Sequence, residues 1–304
     1  MNTTVRFLLN LIPESLKMNT IFLSIDDTLQ PKFGNKFDCC GKLFDHAAKD
    51  KKNRYIHGHC FVSLVVNIPL KFNDTIKYLS LPIGYKLYDK QANKLNIASS
   101  LIKTVMPYLS NYQVILLCDS WYTKGIALET IEEYDNLDLI GAVRWDTAIY
   151  NLPPAQTGRR GRPRIKGDKL NIKKFTFTDA GKYHIATKKL ATNLFKKPIY
   201  MTASTKNKEA ISKVRAFICR INPNEMQIFK HHTVQNVKSD QTEYDPLPLC
   251  AYSLRWHIEV IFYQHKFFWP FSNYMVRNKV AIERYVNLLA ITFTFISVLG
   301  ILKK

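Results

Sequence analysis

The chain has 304 residues, of which 46% are hydrophobic and 22% are charged. These proportions exclude a disordered or fibrous protein and supply enough apolar residues for a sizeable core. There are 44 Lys and Arg against 24 Asp and Glu, a formal net charge of +20. A positive field of that size attracts polyanions, so nucleic acid or an anionic membrane is the expected type of partner.

The first half of the chain alternates apolar runs with helical patterns, which predicts a mixed α/β layer fold. One of its runs, 113–118, is continuously apolar, as is typical of a strand that is covered on both faces. In chain order the predicted elements are strands over 21–25, 59–70 and 78–87, a helix over 90–109, a strand over 113–118, a helix over 123–134 and a strand over 137–143.

Carboxylates follow two of the predicted strands: Asp26 and Asp27 follow the first, and Asp119 follows 113–118. In open α/β sheets, functional side chains gather at strand ends on one edge. Two carboxylates in such a place can hold Mg²⁺, which takes few protein ligands and keeps other sites for water or phosphate oxygens. An Asp after a strand is also a common turn residue or helix cap. This pattern alone therefore leaves both interpretations open.

Most of the excess positive charge lies in residues 151–250, which hold 20 Lys and Arg against 7 Asp and Glu. Short β-prone runs alternate there with basic loops, so we predict a β-rich insertion in the main fold. The predicted strands of this insertion are 175–177, 199–202, 214–219 and 227–230.

The loop 158–167 is the most basic part of this insertion. Its Arg-Gly-Arg-Pro segment resembles an AT-hook, an extended element that lies in the narrow minor groove of A·T-rich DNA. A flexible basic loop that touches phosphates without sequence preference explains the same composition. Under either interpretation the predicted DNA-binding side chains are Arg159, Arg160, Arg162 and Arg164.

Cysteine usage and the chain ends indicate a cytosolic protein. Six cysteines in 304 residues are too sparse for a disulfide scaffold, and the N-terminal residues lack a secretory cleavage site, so free thiols are expected. The apolar run 286–302 is shorter than the ~20 residues of a membrane span, which favours a buried terminal helix and no membrane partner. A group of Cys and His side chains has poor zinc-ligand spacing, which favours ordinary packing: Cys39, Cys40, His46, His57, His59 and Cys60.

The strongest pattern lies in a predicted helix over 249–269, where Tyr252, Arg255, Glu259 and Lys266 have offsets of 0, 3, 7 and 14. At ~100° per residue these four positions fall within an arc of about 60°. One helix face would thus carry a carboxylate for a metal site beside a guanidinium and an ammonium that can bind phosphates. A solvated charged stripe accounts for the charges but gives the tyrosine no role.

The pattern Y-x2-R-x3-E-x6-K resembles the motif of bacterial insertion-sequence transposases of the insertion sequence four type, which have an Asp-Asp-Glu active site. Residues 25–28 resemble the segment that carries the first Asp in this family, and residues 114–119 resemble the strand that carries the second. The resemblance covers roughly residues 21–301. It implies a ribonuclease-H-like mixed sheet with helices, interrupted by a β-rich insertion between the second Asp and the Glu. The implied organisation is an N-terminal segment 1–20, a first core part 21–146, the insertion 147–248 and C-terminal core helices 249–304.

By this resemblance Asp26, Asp119 and Glu259 are the expected ligands of two Mg²⁺ ions, for which Mn²⁺ can substitute. Asp27 is the alternative to Asp26, because adjacent strand residues face opposite ways and only one of the two can point at the metals. Tyr252 and Arg255 are implied to grip the phosphate beside the cut, with support from Lys266. These residues and the four arginines of loop 158–167 are the expected DNA contacts.

The resemblance implies a DNA transposase that hydrolyses phosphodiester bonds at transposon ends and transfers strands to target DNA. It also implies a homodimer in the active complex, located at the nucleoid in the bacterial cytoplasm. Only 25 residues precede Asp26, whereas relatives carry a longer DNA-end-binding region there. A truncated or decayed transposase that binds DNA without catalysis is therefore the alternative expectation. A structure-selective nuclease on the same core is the third, although it gives no reason for the four-residue motif.

Overall fold

The computed structural model describes residues 1–34, 36–46, 48, 54–72, 75–155, 162–206, 213–226 and 247–302. The chain forms two compact units: Met1–Gln113 with Arg255–Lys304 is unit 1, and Val114–Leu254 is unit 2. The elements in chain order are α1 (Asn2–Asn10), β1 (Ile21–Pro31), β2 (Gly41–Phe44), β3 (Tyr55–Phe72), β4 (Thr75–Leu87), α2 (Lys94–Val105), β5 (Val114–Cys118), α3 (Ile126–Glu132), β6 (Leu137–Val143), β7 (Ile149–Tyr150), β8 (Lys169–Leu170), β9 (Thr178–Asp179), β10 (His184–Thr192), β11 (Ile199–Thr205), β12 (Arg215–Cys219), α4 (Leu247–Tyr252), α5 (Trp256–Phe267) and α6 (Lys279–Leu302).

The sheet of unit 1 is antiparallel and is organised around the long strand β3. One edge of β3 pairs with β1, and the other edge pairs with β4 and, at its first residues, with β2. The pairing of β1 with β3 continues to Pro31↔Gly58, so β1 is longer than the predicted 21–25, and Asp26 and Asp27 lie inside it rather than at its end. Glycine is needed at position 58, because a Cβ there would lie 2.1 Å from the carbonyl oxygen of Gln30.

Helices α5 and α6 pack their apolar side chains against β3 and β4. Phe61 and Tyr85 of the sheet share one buried cluster with Ile258 of α5 and Val286 of α6. At roughly 25 cal/mol per Å² of buried apolar surface, fully burying each aromatic side chain stabilises the unit by about 1.5–3 kcal/mol. Unit 1 is therefore built from two chain segments that share a single core.

Polar side chains of α6 bind the backbone of the edge strand β4. Asn287 accepts a hydrogen bond from the Tyr85 N–H and donates one to the Tyr85 carbonyl, each at 2.9 Å. Glu283 accepts from the Leu87 N–H at 3.0 Å, and Thr294 donates to the Pro82 carbonyl at 3.2 Å. These bonds satisfy backbone groups that an edge strand would otherwise leave unpaired.

The C-terminal helix was expected to be buried, and the structure confirms this for one of its faces. Val286 and Val298 are fully buried, whereas Leu288 and Phe295 are exposed. Among the described residues, α6 over Lys279–Ile301 is long and apolar enough to cross a membrane by length and composition alone, with 28% of its most apolar stretch buried. Core helices of soluble proteins pass the same test, so this is weak evidence for a span.

Unit 2 contains a parallel strand pair followed by antiparallel strands. β5 and β6 are parallel and are connected by α3, as expected for a strand–helix–strand crossover. From β6 the strand order continues through β12, β11, β10, β7 and β8, and β9 pairs with β10. The buried carboxylate of Asp138 on β6 accepts hydrogen bonds from the backbone N–H groups of Arg220 and Ile221, which fixes the chain beyond β12.

The structure confirms the mixed α/β class, and its sheet and helices are compatible with a ribonuclease-H-like fold. Two local predictions are wrong. Residues 175–177 form no strand, because a 3₁₀ turn over Ile172–Lys174 precedes them and Asn171 caps that turn. Strand β10, which pairs with β11, β7 and β9, has no counterpart among the predicted elements. The predicted strand 227–230 lies outside the described residues, and the insertion boundaries 147–248 stay a prediction.

Candidate active site

The first predicted carboxylate, Asp26, lies on the face of β1 that α5 covers. Its Oδ2 accepts a hydrogen bond from Nη1 of Arg255 at 2.8 Å, and its Oδ1 accepts one from the backbone N–H of Asp27 at 2.8 Å. In the strand register Asp26 pairs with Ser63 of β3. Both oxygens of this partly buried carboxylate are therefore engaged, one by the backbone and one by a cation.

Arg255 also contacts the predicted glutamate. It ends a 3₁₀ turn over Ser253–Arg255 and occupies the N-cap position of α5, whose first turn contains Glu259. Residues four apart on a helix are neighbours, and Nη2 of Arg255 donates to Oε1 of Glu259. One guanidinium thus holds Asp26 and Glu259 together, although 233 residues separate them (259 − 26). Their side chains keep 18% and 34% exposure, so a solute can reach both carboxylates.

Asp27 points to the opposite face of β1 and has different partners. Its Oδ2 accepts from the ammonium of Lys94 at 2.8 Å and from the thiol of Cys60 at 3.2 Å. Burial, together with the charge of Asp27, raises the pKa of the Cys60 thiol, which therefore stays a protonated donor. Lys94 is the first residue of α2, so Asp27 ties the strand to that helix. The sequence pattern missed Lys94 and Cys60, because only the tertiary fold brings them to Asp27.

The second predicted aspartate belongs to unit 2 and directly follows β5, as predicted. Its Oδ1 accepts hydrogen bonds from the backbone N–H groups of Trp121 at 2.9 Å and Tyr122 at 3.1 Å. This is the Asx-turn geometry that the alternative interpretation expects of an Asp after a strand. A carboxylate that caps a turn through one oxygen can still use the other as a ligand, and the role of Asp119 stays a prediction.

The expectation of one continuous helix from Tyr252 to Lys266 is wrong. Helix α4 ends at Tyr252, and α5 begins at Trp256 after the 3₁₀ turn. The hydroxyl of Ser253 donates to the Cys250 carbonyl at 2.6 Å, a local bond that competes with the helical ladder. Tyr252 packs its ring against Phe217 of β12, with 4.4 Å between the ring centroids. Lys266 is exposed in the last turn of α5, two turns beyond Glu259 and on the same helix face.

Two arginines of the predicted DNA-binding loop lie among the described residues. Arg162 and Arg164 are exposed, and Arg164 forms an exposed ion pair with Asp168 at 3.3 Å. Such an exposed pair contributes little stability, so Arg164 can exchange its partner for a phosphate at small cost. Arg159 and Arg160 lie outside the described residues.

The oxygen donors of unit 1 fit a hard divalent cation, because Asp26 and Glu259 already flank a positive group. Mg²⁺ is commonly held by one or two carboxylates together with water and phosphate oxygens. No group of three or more His, Cys, Asp or Glu side chains with metal-site geometry occurs in the described part of the chain.

All six cysteines are free thiols, as predicted. His59 bonds to Tyr274 and Cys40 contacts His57, which agrees with ordinary packing of these side chains.

Residues 4–192 match a family described as DDE superfamily endonuclease. The matched residues include Asp26, Asp27 and Asp119 and end before Glu259. A search of curated proteins found no match. The match covers more than half of the chain, and the mixed sheet with its helices is compatible with it. The chain therefore belongs to the DDE superfamily endonucleases.

Proposed function

We propose that this DDE superfamily endonuclease is the catalytic domain of an insertion-sequence transposase of the insertion sequence four type. It would cleave phosphodiester bonds at transposon ends and join the freed 3′-hydroxyl to target DNA. The observation that carries the proposal is the contact of Arg255 with both Asp26 and Glu259. This contact brings together three residues that belong to the expected motifs from opposite ends of the chain.

Nucleases of this superfamily generally use divalent metal ions. Asp26, Asp119 and Glu259 are the proposed ligands for two Mg²⁺ ions, which Mn²⁺ can replace. Bound there, such ions would supply an activated hydroxyl nucleophile and neutralise the charge that develops on the phosphate. Asp27 is a weaker candidate ligand, because its carboxylate lies on the face of β1 opposite to Asp26 and Glu259, where it pairs with Lys94.

The remaining side chains of the motif bind and orient the DNA in this proposal. The fork of Arg255 matches the geometry of a phosphate, and Lys266 adds a second positive charge on the same face of α5. Tyr252 can donate a hydrogen bond to the phosphate beside the cut. The positive net charge of the chain provides general affinity for DNA. In this proposal the protein acts on DNA as a homodimer, at the nucleoid in the bacterial cytoplasm.

A nicking assay on supercoiled plasmid tests this function. With Mg²⁺ or Mn²⁺ we expect relaxed circles that carry 3′-hydroxyl ends, and with EDTA we expect none. If a plasmid that carries the inverted repeats flanking the gene also yields joined products, the strand-transfer step is supported. Nicking without joining on any end sequence would favour a nuclease of the junction-resolvase type. DNA binding without nicking would favour a non-catalytic remnant.

The exposed arginines of loop 158–167 provide a separate test of DNA binding. Replacing Arg162 and Arg164 with Ala is expected to lower the slope of log K against log salt by about two, because each lost phosphate contact removes about one unit. The slope is measured by fluorescence anisotropy of a labelled duplex between 50 and 200 mM salt. Arg144→Ala is the matched control, because Arg144 lies outside this loop and donates two hydrogen bonds to Asp146, whereas Arg164 has a single one to Asp168. An unchanged slope in the double variant would show that these two side chains do not contact DNA.

A further inference from the structure

The side chain of Arg255 uses the same carboxylate oxygens that a cation in the proposed site requires. Its Nη1 lies 2.8 Å from Oδ2 of Asp26, and its Nη2 donates to Oε1 of Glu259. The second oxygen of Asp26 accepts a hydrogen bond from the backbone N–H of Asp27. A cation that approaches the side chain of Asp26 from Glu259 therefore encounters the guanidinium. A divalent cation that binds between Asp26 and Glu259 therefore has to displace these two hydrogen bonds.

We propose that Arg255 couples cation binding to DNA binding: it competes with divalent cations for Asp26 and Glu259, and a bound cation transfers its guanidinium to a DNA phosphate. This inference rests on the proposed function, because it needs a cation site at these carboxylates. It adds a second role for Arg255, which the motif alone presents as a phosphate contact.

The charges of Asp26, Glu259 and Arg255 explain why a cation and the guanidinium can compete for the same oxygens. Two carboxylates and one guanidinium carry a net charge of −1, so the cluster still attracts a cation. The guanidinium stays charged at any physiological pH, and its side chain is only 14% exposed. Leaving such a group without an anion is costly. When a divalent cation takes the carboxylates, a phosphate becomes the best available partner, since it accepts both N–H groups of the fork.

Thermodynamic linkage makes this exchange reciprocal. If a cation releases Arg255 for DNA, then DNA that binds Arg255 also releases the carboxylates for the cation, by the same factor. The Lys94–Asp27 pair does not take part, because it lies on the other face of β1. Wild-type protein should therefore bind DNA more tightly with a divalent cation, and bind the cation more tightly with DNA.

The competition is tested by Mn²⁺ titration of the full chain without DNA, followed by electron paramagnetic resonance of the free ion. We expect Arg255→Gln to bind Mn²⁺ about tenfold more tightly than wild type, the usual size of such a coupling. Arg255→Lys keeps a charge but loses the fork, so its affinity should lie between the two. Arg144→Gln is the matched control and should bind like wild type, and Asp26→Asn should bind much more weakly. Circular dichroism confirms that each variant is folded.

The coupling is tested by duplex binding in Ca²⁺ against EDTA at constant ionic strength, with Ca²⁺ as an oxygen-seeking cation. Wild type should gain about tenfold in DNA affinity, whereas Arg255→Gln and Asp26→Asn should gain less than threefold. If wild type binds Mn²⁺ through Asp26 but Arg255→Gln binds it equally or less tightly, the coupling role is wrong and the proposed function stands. If neither wild type nor Arg255→Gln binds Mn²⁺, both the coupling role and the proposed function fail.

Discussion

Asp26→Asn is expected to lower Mg²⁺-dependent DNA cleavage by roughly 10³-fold or more, whereas Asp27→Asn should keep most of the activity. The amide preserves the size of the carboxyl group but removes a charge that the proposed metal site needs, and electrostatic terms of this kind dominate such reactions. Asp27 lies on the other face of β1, where Lys94 already pairs with it. The rate of plasmid nicking, measured side by side for both variants, gives the contrast.

The comparison of the Asp26→Asn and Asp27→Asn variants depends on two controls. In EDTA, duplex binding by Asp26→Asn should equal or slightly exceed that of wild type, because the loss of one negative charge near the phosphate does not weaken phosphate contacts. Asp27→Asn should lower the melting temperature, since it leaves the partly buried Lys94 without its carboxylate partner. Asp119→Asn should behave like Asp26→Asn if Asp119 is a ligand. If Asp27→Asn abolishes cleavage and Asp26→Asn does not, the proposed assignment of ligands is reversed.

Acid should destabilise the fold through His265, by about 2 kcal/mol between pH 7.5 and pH 5. Burial lowers the pKa of this histidine to about 4, against an ordinary value near 6.5. The folded state therefore binds the proton more weakly than the unfolded state, so the contribution is complete above pH 6.5 and is lost as the pH falls from 6.5 towards 4. Urea unfolding at several pH values measures this loss.

A matched variant isolates the histidine from the other acidic transitions. The ring of His265 stacks on Phe271 and meets the edge of Phe293, so His265→Phe suits the same apolar surroundings. It removes the hydrogen bond of Nδ1 with the Tyr85 hydroxyl, which costs stability at neutral pH. Between pH 7.5 and pH 5 this variant should lose about 2 kcal/mol less than wild type. Equal losses in the two proteins would show that His265 is not the titrating group.

Continuous apolar runs and short spacings were the parts of the fold that could be predicted from sequence. The run 113–118 needs no partner to be identified as a buried strand, and the structure forms β5 there with Asp119 directly after it. The four-residue spacing of Arg255 and Glu259 predicts neighbouring side chains on any helical segment. Their contact is therefore present even though the helix begins only at Trp256.

Features that depend on distant partners could not be predicted in this way. The continuation of β1 to Pro31 depends on its pairing with the first part of β3, where Pro31 lies opposite Gly58. The local run 21–25 contains no sign of this pairing. Lys94 reaches Asp27 only because α2 packs beside β3, so nothing in the local sequence around either residue indicates the pair. Cys60 was grouped with candidate zinc ligands, whereas its thiol donates to the carboxylate of Asp27.

The core that α5 and α6 share with β3 and β4 has a consequence for how the protein is made. These helices lie more than 150 residues after β4 in the chain, and contacts of such large sequence separation form late in folding. During synthesis, the side chains of Phe61 and Tyr85 therefore stay exposed until α5 and α6 leave the ribosome, and chaperones can bind them during that time. Arg255 joins Asp26 to Glu259 only at that stage, so a chain that is still being translated does not yet have the carboxylate pair of the proposed site.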